Sequence, residues 1–202
     1  MRYKRHTDIF NPNDHTDRSV TIAGVGGTGS NVAIALTKMG IANLHIIDPD
    51  VVEDHNLASQ AYTLEDVGQP KVEALEAKIK SINPEINLLA SQAEFNHIVD
   101  DLFICGVDGW DTRKEIQERL RREQLVIDGR MGGEQVECWV VKAKNWDLSG
   151  TPDPDPCAGQ YISYTAYLIA GLITSTVRKI LTDSPVRERV VIQPDNNVML
   201  CQ

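Results

Sequence analysis

Hydrophobic and polar positions near the start of the chain predict a strand, a helix and a second strand. The β-branched run Ser19–Ala23 leads into a glycine-rich segment, after which apolar residues recur at helical spacing over residues 32–39. Gly40 stands where a glycine commonly ends a helix, and Asn43–Ile47 predicts the second strand, which ends at Asp48. The pattern is that of a strand–helix–strand unit.

Helices and strands continue to alternate through the middle of the chain. The pattern predicts a helix over residues 71–82, a strand over 86–90, a strand over 102–105, a helix over 112–123 and a strand over 125–127. Residues 49–69 are polar and turn-rich, and a loop of this length usually carries function. Asp108 and Asp128 each follow a predicted strand. Parallel strands place such acidic ends on one rim of the sheet.

The C-terminal third has a different pattern. Apolar and polar residues alternate over 136–140, which predicts an antiparallel strand, and a long helix is predicted from about Tyr161 to Leu181. Residues 189–193 and 198–201 predict a closing hairpin. A stripe along the long helix is interpreted as core or subunit interface: Tyr161, Tyr164, Tyr167, Leu168 and Leu172.

Together these elements predict a single α/β domain over residues 1–202. We expect a Rossmann-like, mainly parallel sheet with helices on both faces and antiparallel C-terminal strands. Residues 1–18 are expected to form an N-terminal arm, and residues from about 143 to 160 a crossover loop. The chain has 202 residues, of which 42% are hydrophobic, and this is enough for one sizeable core.

The charge and the composition of the chain limit which classes of binding partner and which cellular compartment we expect. A formal net charge of −9 argues against a broad face for nucleic acid or for acidic membrane lipid. The N-terminal residues lack an apolar segment of the kind that begins a secretory signal, so the cytoplasm is expected. The four cysteines form no CxxC pair and are interpreted as free thiols, with Cys105 and Cys138 in the core.

A glycine motif indicates that the chain binds a nucleotide. Gly24, Gly26 and Gly29 are spaced as GxGxxG between a predicted strand and helix, a turn that brings backbone N–H groups up to phosphates. Asp48 follows roughly 20 residues later at a strand end, where a carboxylate can bind a ribose hydroxyl. NAD and ATP fit this pattern equally well.

Longer motifs distinguish between these nucleotides. Residues 24–30 read GVGGTGS, residues 48–60 read DPDVVEDHNLASQ, and residues 68–71 read GQPK. In this order and spacing they resemble the ubiquitin-activating (ThiF/MoeB-like) superfamily, whose pattern is GxGGxGS, DxDxVxxxNLxRQ and GxxK. Residues 2–5, RYKR, are similar to the family's N-terminal RYxRQ, and Asp108 falls where the family has the aspartate of TDN.

The resemblance implies ATP and Mg²⁺ as cofactors and assigns roles to particular residues. It implies that Asp48 holds the ribose, that Asn56 and Lys71 bind phosphates and that Asp108 binds Mg²⁺. It also implies that Arg5 reaches the nucleotide of a neighbouring subunit in a homodimer. The remaining residues implied at the nucleotide are Gly24, Gly26, Gly27, Thr28, Gly29, Asp50 and Gln60.

The residues themselves are compatible with these roles. A carboxylate that attacks a phosphate meets a repulsion of about 4 kcal/mol at 4 Å and an effective dielectric of 20, so cations are needed. Lys71 begins a predicted helix, where the helix dipole disfavours a lysine, and an anion in front of it would explain its position. Asp108 lies where parallel sheets bind ligands, with Asp111 as a nearby alternative.

The sequence departs from the family pattern at two positions. Ser59 stands where the family has the arginine of NLxRQ, and serine cannot supply a planar cation. We hypothesise that Arg130 replaces it, because glycines at 129, 132 and 133 allow close backbone approach. Arg113 is the second candidate. Asp108 is followed by Gly109 rather than by the family's asparagine.

Cys157 is a candidate nucleophile. It lies in a proline-rich segment before the long predicted helix, near the position where many family members carry a cysteine that receives the acyl group as a thioester. A thiol near a helix N-terminus has a lowered pKa. Other relatives adenylate without this cysteine, so both interpretations of Cys157 stay open.

Three functions are therefore considered. The leading hypothesis is ATP-dependent adenylation of the C-terminal glycine of a ubiquitin-like or sulfur-carrier protein by a homodimer with composite sites. A second keeps the adenylation and changes the acceptor to a peptide, another small carboxylate or an RNA-linked group. A third, of another class, is an NAD(P)-binding oxidoreductase or an inactive nucleotide-binding module.

Overall fold

The computed structural model describes residues 2–96, 99, 101–148, 161–196 and 198–201. The helices and strands are, in chain order, β1 (Ser19–Ala23), α1 (Gly27–Met39), β2 (Asn43–Ile47), α2 (Lys71–Ile82), β3 (Asn87–Ser91), β4 (Leu102–Cys105), α3 (Trp110–Arg119), β5 (Leu125–Gly132), β6 (Gln135–Lys142), α4 (Ser163–Leu181), β7 (Arg189–Gln193) and β8 (Val198–Cys201).

The strands form one sheet of eight in the order β3-β2-β1-β4-β5-β6-β7-β8. β1 to β5 pair in parallel, and β5 to β8 pair as antiparallel neighbours. The strand order turns back between β1 and β4, which leaves a crevice at their carboxyl ends. The predicted Rossmann-like fold with antiparallel C-terminal strands is confirmed.

Helices cover both faces of the sheet. Leu36 of α1, Leu75 of α2 and Ile173 of α4 belong to the core on one face. On the other face Ile116 of α3 packs in a second cluster with Trp146. Full burial of each large aliphatic side chain contributes about 1.5–3 kcal/mol, so both layers stabilise the sheet. No helix in the described ranges is long and apolar enough to cross a membrane.

β5 is longer than the sequence pattern predicted. It continues through Asp128 to Gly132 and pairs with β6 from Leu125↔Lys142 to Gly132↔Gln135. Gly133, at a φ of 57°, adopts the left-handed conformation that this tight connection requires. The prediction that Asp128 ends a strand on the rim is therefore wrong, because the hairpin extends the strand past it.

Two helices and the loop after β2 also differ from the predicted outlines. α3 spans Trp110–Arg119 rather than residues 112–123, and α4 begins at Ser163 rather than at about residue 161. Within the predicted loop of residues 49–69, Asp54–Ala58 and Leu64–Asp66 form short 3₁₀ turns.

Asp66 anchors the second of these turns. Its Oδ2 accepts hydrogen bonds from the backbone N and the Oγ1 of Thr63, and Lys78 Nζ lies 2.7 Å away. Burial alone would raise the pKa of Asp66, but the hydrogen bonds from Lys78 and Thr63 hold the pKa below its ordinary value of 3.8. The ionised carboxylate is therefore the form that the fold stabilises.

Asp66→Asn is expected to lower the free energy of unfolding by about 1 kcal/mol near neutral pH. Because the folded pKa is lowered, the contribution of Asp66 is present above the unfolded pKa and is lost as the pH falls through the folded pKa. Urea unfolding at pH 7 and in acid would measure this. The exposed neighbour gives the control Glu65→Gln, and equal stability of both variants at pH 7 would contradict the prediction.

Candidate active site

A cleft of about 440 Å³ opens at the carboxyl ends of β1 and β4, where the strand order reverses. It brings together most of the residues that the family resemblance implied. Those that line it are Gly24, Gly26, Gly27, Thr28, Asp48, Asp50, Gln60, Lys71 and Asp108. The cleft therefore coincides with the predicted nucleotide site.

Residues 24–29 form the glycine turn, and glycines are required there because its backbone crosses closely over the backbone at Gly106. Gly24 has a φ of 82°, and a Cβ on it would lie 2.8 Å from the carbonyl carbon of Gly106. A Cβ on Gly106 would lie 2.7 Å from the carbonyl oxygen of Gly24, and one on Gly29 would overlap that same oxygen. Gly29 thus acts through packing and does not line the cleft. The crossing directs the free N–H groups at the start of α1 into the cleft.

Asp48 joins the glycine turn to the turn after β2. Its Oδ2 accepts a hydrogen bond of 2.7 Å from Val25 N, and its Oδ1 accepts one of 2.9 Å from Asp50 N. Burial raises the pKa of Asp48, while Lys71 and these two N–H groups act in the opposite direction. The hydroxyl of Tyr62 donates to the Val25 carbonyl at 2.8 Å and holds the same turn.

Lys71 is the first residue of α2, and its side chain is only 9% exposed. Its Nζ lies 2.8 Å from Asp50 Oδ2, and its backbone N donates to the Asp50 carbonyl. The anion in front of this helix-start lysine is thus the Asp50 carboxylate. Because Asp50 is 63% exposed and both residues line the cleft, Lys71 is held at a surface that an incoming phosphate can reach.

Asn56 and Gln60 have different surroundings. Asn56 is buried, and its Oδ1 accepts a hydrogen bond from Glu53 N, which caps the first 3₁₀ turn. Gln60 lines the cleft beside Gly26, and its buried Oε1 has no hydrogen-bond partner in the described part of the chain. A buried amide oxygen needs a donor, and a nucleotide hydroxyl would supply one, so the residues present fit the implied nucleotide.

Asp108 lies exposed in the loop between β4 and α3 and lines the cleft. Within the described ranges, no group of three His, Cys, Asp or Glu side chains is placed to hold a metal. Mg²⁺ commonly uses one or two carboxylates together with substrate phosphates, so a single aspartate beside the phosphate turn is compatible with it. The alternative, Asp111, does not line the cleft.

The structure does not bring Arg130 into the cleft. Its Nε donates to Asp128 Oδ2 at 2.8 Å, and its guanidinium lies 4.8 Å from the ring centroid of Trp110 and 5.2 Å from that of Trp139. Asp128 also pairs with the fully buried Arg113, the second candidate. Arg113 does reach the cleft wall, where its NH2 donates to the Val107 carbonyl.

Arg5 lies far from the cleft of its own chain. It is exposed in the N-terminal arm, which packs against the last residues of α1 through His6 Nε2, 3.1 Å from the Met39 carbonyl. α1 has 13 residues and a length of about 20 Å, and the glycine turn is at its other end. An Arg5 that contacts a nucleotide would therefore have to act on another subunit.

The predicted core positions of two cysteines are confirmed. Cys105 and Cys138 are buried, and burial raises the pKa of Cys138 to about 12. Cys157 lies outside the described residues.

Tyr161 is a site residue that the sequence interpretation missed. The pattern placed it in a core or interface stripe, but it lines the cleft and its hydroxyl accepts a hydrogen bond of 3.2 Å from Ser59 Oγ. Tyr161 precedes α4 and forms a bridge with Gly133 at the β5–β6 hairpin. Its approach to Ser59 is a tertiary contact, for which periodicity carries no signal.

Comparison with known proteins identifies the family. Residues 13–197 match the ThiF family. The chain belongs to the ThiF family. It is 41% identical over 92 residues to the tRNA threonylcarbamoyladenosine dehydratase of Bacillus subtilis, across 45% of this chain and 36% of that protein. It is 31% identical over 218 residues to ubiquitin-like modifier-activating enzyme 5 of Xenopus laevis, across 90% of this chain and 55% of that protein.

A third relative is the SAMP-activating enzyme E1 of Haloferax volcanii, 30% identical over 139 residues, across 62% of this chain and 52% of that protein. This ThiF-family chain thus spans between about a third and about half of the length of these relatives.

Solved structures share the fold of this ThiF-family chain. The crystal structure of E. coli MccB with ATP has a TM-score of 0.85 at 18% identity, covering 100% of this chain and 70% of that one. The crystal structure of PaaA has a TM-score of 0.78 at 18% identity, covering 100% and 72%. At this identity the likeness establishes the fold.

Proposed function

We propose that this chain is an ATP-dependent adenylyltransferase that converts a carboxylate into its acyl-adenylate. The observation that carries the proposal is the convergence, in one cleft of a ThiF-family chain, of the glycine turn, Asp48, Lys71 and Asp108. The glycine turn offers backbone N–H groups to phosphates, and Lys71 offers a held cation. The buried oxygen of Gln60 offers an acceptor for a nucleotide hydroxyl.

The reaction is an in-line substitution at phosphorus. A carboxylate oxygen forms a bond to the α-phosphorus of ATP, the bond to the bridging oxygen breaks, and pyrophosphate leaves with that electron pair. The attacking carboxylate and the triphosphate are both anionic, so their repulsion must be offset by Lys71 and by the start of α1, and Asp108 would hold a Mg²⁺ that supplies further positive charge. Catalysis then consists mainly of positioning and charge stabilisation.

The proposed acceptor is the C-terminal glycine of a ubiquitin-like or sulfur-carrier protein. The support is the likeness over most of this chain to ubiquitin-like modifier-activating enzyme 5 of Xenopus laevis. A peptide, another small carboxylate or an RNA-linked acceptor is the second candidate, favoured by the 41% identity to the transfer RNA dehydratase over 92 residues. The two candidates require the same adenylation chemistry.

A composite site in a homodimer is part of the proposal. Arg5 lies at the end of α1 that is remote from the glycine turn, so the role implied for it requires a second copy.

Two successive measurements test the proposed function. Calorimetry with Mg·ATP and with NAD establishes the nucleotide. Exchange of radioactive pyrophosphate into ATP is then measured with a carrier protein that ends in Gly–Gly, with a peptide and with a modified transfer RNA. Exchange that depends on one acceptor identifies its class, whereas NAD binding without ATP binding would overturn the proposal.

Cys157→Ala is expected to preserve pyrophosphate exchange and to abolish any thioester, because adenylation precedes transfer to a thiol and does not require it. The measurement is exchange alongside detection of a reducible adduct between this chain and the carrier on non-reducing gels. Cys201→Ala is the control, since Cys201 is exposed at the sheet edge in β8. An adduct that persists in Cys157→Ala and disappears in Cys201→Ala would assign the thioester to Cys201 instead.

A further inference from the structure

The hydroxyl of Tyr161 lies against the first residue of α1. A Cβ added to Gly27 would collide with this hydroxyl and would lie 2.6 Å from Met131 Cε. Gly27 opens the helix, and its N–H is among those that have no carbonyl partner within α1. Tyr161 lines the cleft, and its hydroxyl lies against the residue that opens α1, at the helix end whose free N–H groups favour an anion.

Ser59 fixes the position of this hydroxyl. Its Oγ donates to the Tyr161 oxygen at 3.2 Å, and its own backbone is held because Asn31 Nδ2 donates to the Ser59 carbonyl at 2.9 Å. The same Asn31 nitrogen also donates to the Gly27 carbonyl at 2.8 Å. Ser59, Asn31 and the start of α1 therefore form one hydrogen-bonded unit, and Tyr161 is attached to it.

The direction of the hydrogen bond determines what Tyr161 can offer. A phenol that accepts a hydrogen bond from a serine keeps its own proton for another acceptor. At the start of a helix the expected acceptor is an anion, because the helix dipole and the free N–H groups favour negative charge there. A hydrogen bond from a neutral hydroxyl to an anionic oxygen is short and strong.

Resting on the proposed function, we infer that Tyr161 is a phosphate-binding residue. Its hydroxyl donates a hydrogen bond to a nonbridging phosphate oxygen of the nucleotide above Gly27. Ser59, which replaces the arginine of the family pattern, is a positioning residue that acts through Tyr161. The chain thus uses a hydrogen-bonded pair of hydroxyls at the position where the family pattern has a guanidinium.

The test separates phosphate from nucleoside binding. Calorimetry with Mg·ATP and with adenosine is carried out on the full chain and on Tyr161→Phe, which keeps the ring and removes the hydroxyl. We expect the affinity for Mg·ATP to fall about tenfold and the affinity for adenosine to change less than about twofold. Tyr164→Phe is the matched control, because Tyr164 lies in the first turn of α4 and its hydroxyl donates to Glu134 at the surface.

The role of Ser59 is tested by rescue. Ser59→Ala is expected to weaken Mg·ATP binding by about threefold to fivefold, since the phenol loses its orienting donor, and Ser59→Thr is expected to restore it. In the Tyr161→Phe background Ser59→Ala should have no further effect, because Ser59 acts through the tyrosine.

The outcomes distinguish this inference from the proposed function. Equal Mg·ATP affinity in the original chain and in Tyr161→Phe would overturn the inference and leave the adenylyltransferase proposal standing. Equal losses for ATP and adenosine would also overturn it, because they would assign Tyr161 a packing role. Failure of the original chain to bind Mg·ATP would overturn both.

Discussion

Replacing Arg113 by methionine is expected to lower the free energy of unfolding by about 3–5 kcal/mol, because the change leaves Asp128 as a buried charge without its closest partner. The side chains of Arg113 and Asp128 are both fully buried. Whole domains are stable by about 5–15 kcal/mol, so a loss of this size brings the chain near to unfolding at ambient temperature. Denaturant unfolding followed by circular dichroism measures the effect.

Two variants test whether the loss of this charged partner of Asp128 is the cause. Lys114→Met makes the same kind of change at the next position of α3, where the lysine is 47% exposed and pairs with an exposed aspartate, and should cost less than about 0.5 kcal/mol. Adding Asp128→Asn to Arg113→Met removes the buried charge, which Arg130 and Trp146 alone still contact, and should recover at least about 1 kcal/mol. A double variant less stable than Arg113→Met would instead assign the loss to packing.

The buried pair of Arg113 and Asp128 stabilises the fold and also supports the loop at the edge of the cleft. Besides pairing with Asp128, Arg113 donates through NH2 to the Val107 carbonyl at 2.5 Å, and Val107 is adjacent to Asp108. Arg130 and Trp146 also donate hydrogen bonds to Asp128. The loop that carries Asp108, the proposed metal ligand, is thus held in place by Arg113 of α3, which pairs with Asp128 of β5. An Arg113 variant that still folds would therefore have a displaced Asp108 as well.

The part of the site that the sequence predicts well is the part that local geometry determines. A glycine turn between a strand and a helix has few possible conformations, and Asp48 at the end of the next strand must lie beside it, since β1 and β2 are neighbours. The position of Lys71 at the cleft is predicted in the same way, because it begins α2 directly after the loop that follows β2. The contact of Asp48 with Val25 and that of Lys71 with Asp50 join residues 23 and 21 positions apart, and the order of the motifs along the chain was sufficient to predict that they meet.

The parts that the sequence did not predict depend on contacts between distant segments. Arg130 follows Asp128 by two residues and was expected on the rim, but the hairpin to β6 keeps β5 extended and turns Arg130 toward Asp128, between Trp110 and Trp139. Tyr161 shares the spacing of an apolar stripe and still enters the cleft. Neither outcome has a signal in hydrophobic periodicity, because each is decided by tertiary packing.

Asp108→Asn is expected to reduce pyrophosphate exchange by about 10²–10³-fold and to leave the free energy of unfolding within about 0.5 kcal/mol. The carboxylate is exposed in a loop, so its loss removes a charge for Mg²⁺ without exposing any core. A readout independent of the acceptor is the affinity for ATP with and without Mg²⁺. The original chain should bind ATP more tightly with the metal, and the variant should lose most of that difference.

Asp111→Asn is the matched control for this variant, because Asp111 lies three residues further on, in the first turn of α3, with its side chain 95% exposed. If Asp111→Asn removed the Mg²⁺ effect and Asp108→Asn kept it, the metal ligand would be Asp111 and the role assigned to Asp108 would be wrong. The structure favours Asp108, since it lines the cleft beside the glycine turn and Asp111 does not. A divalent ion held at Asp108 would lie in the cleft with the phosphates, so the position in the cleft distinguishes two neighbouring carboxylates that are chemically alike.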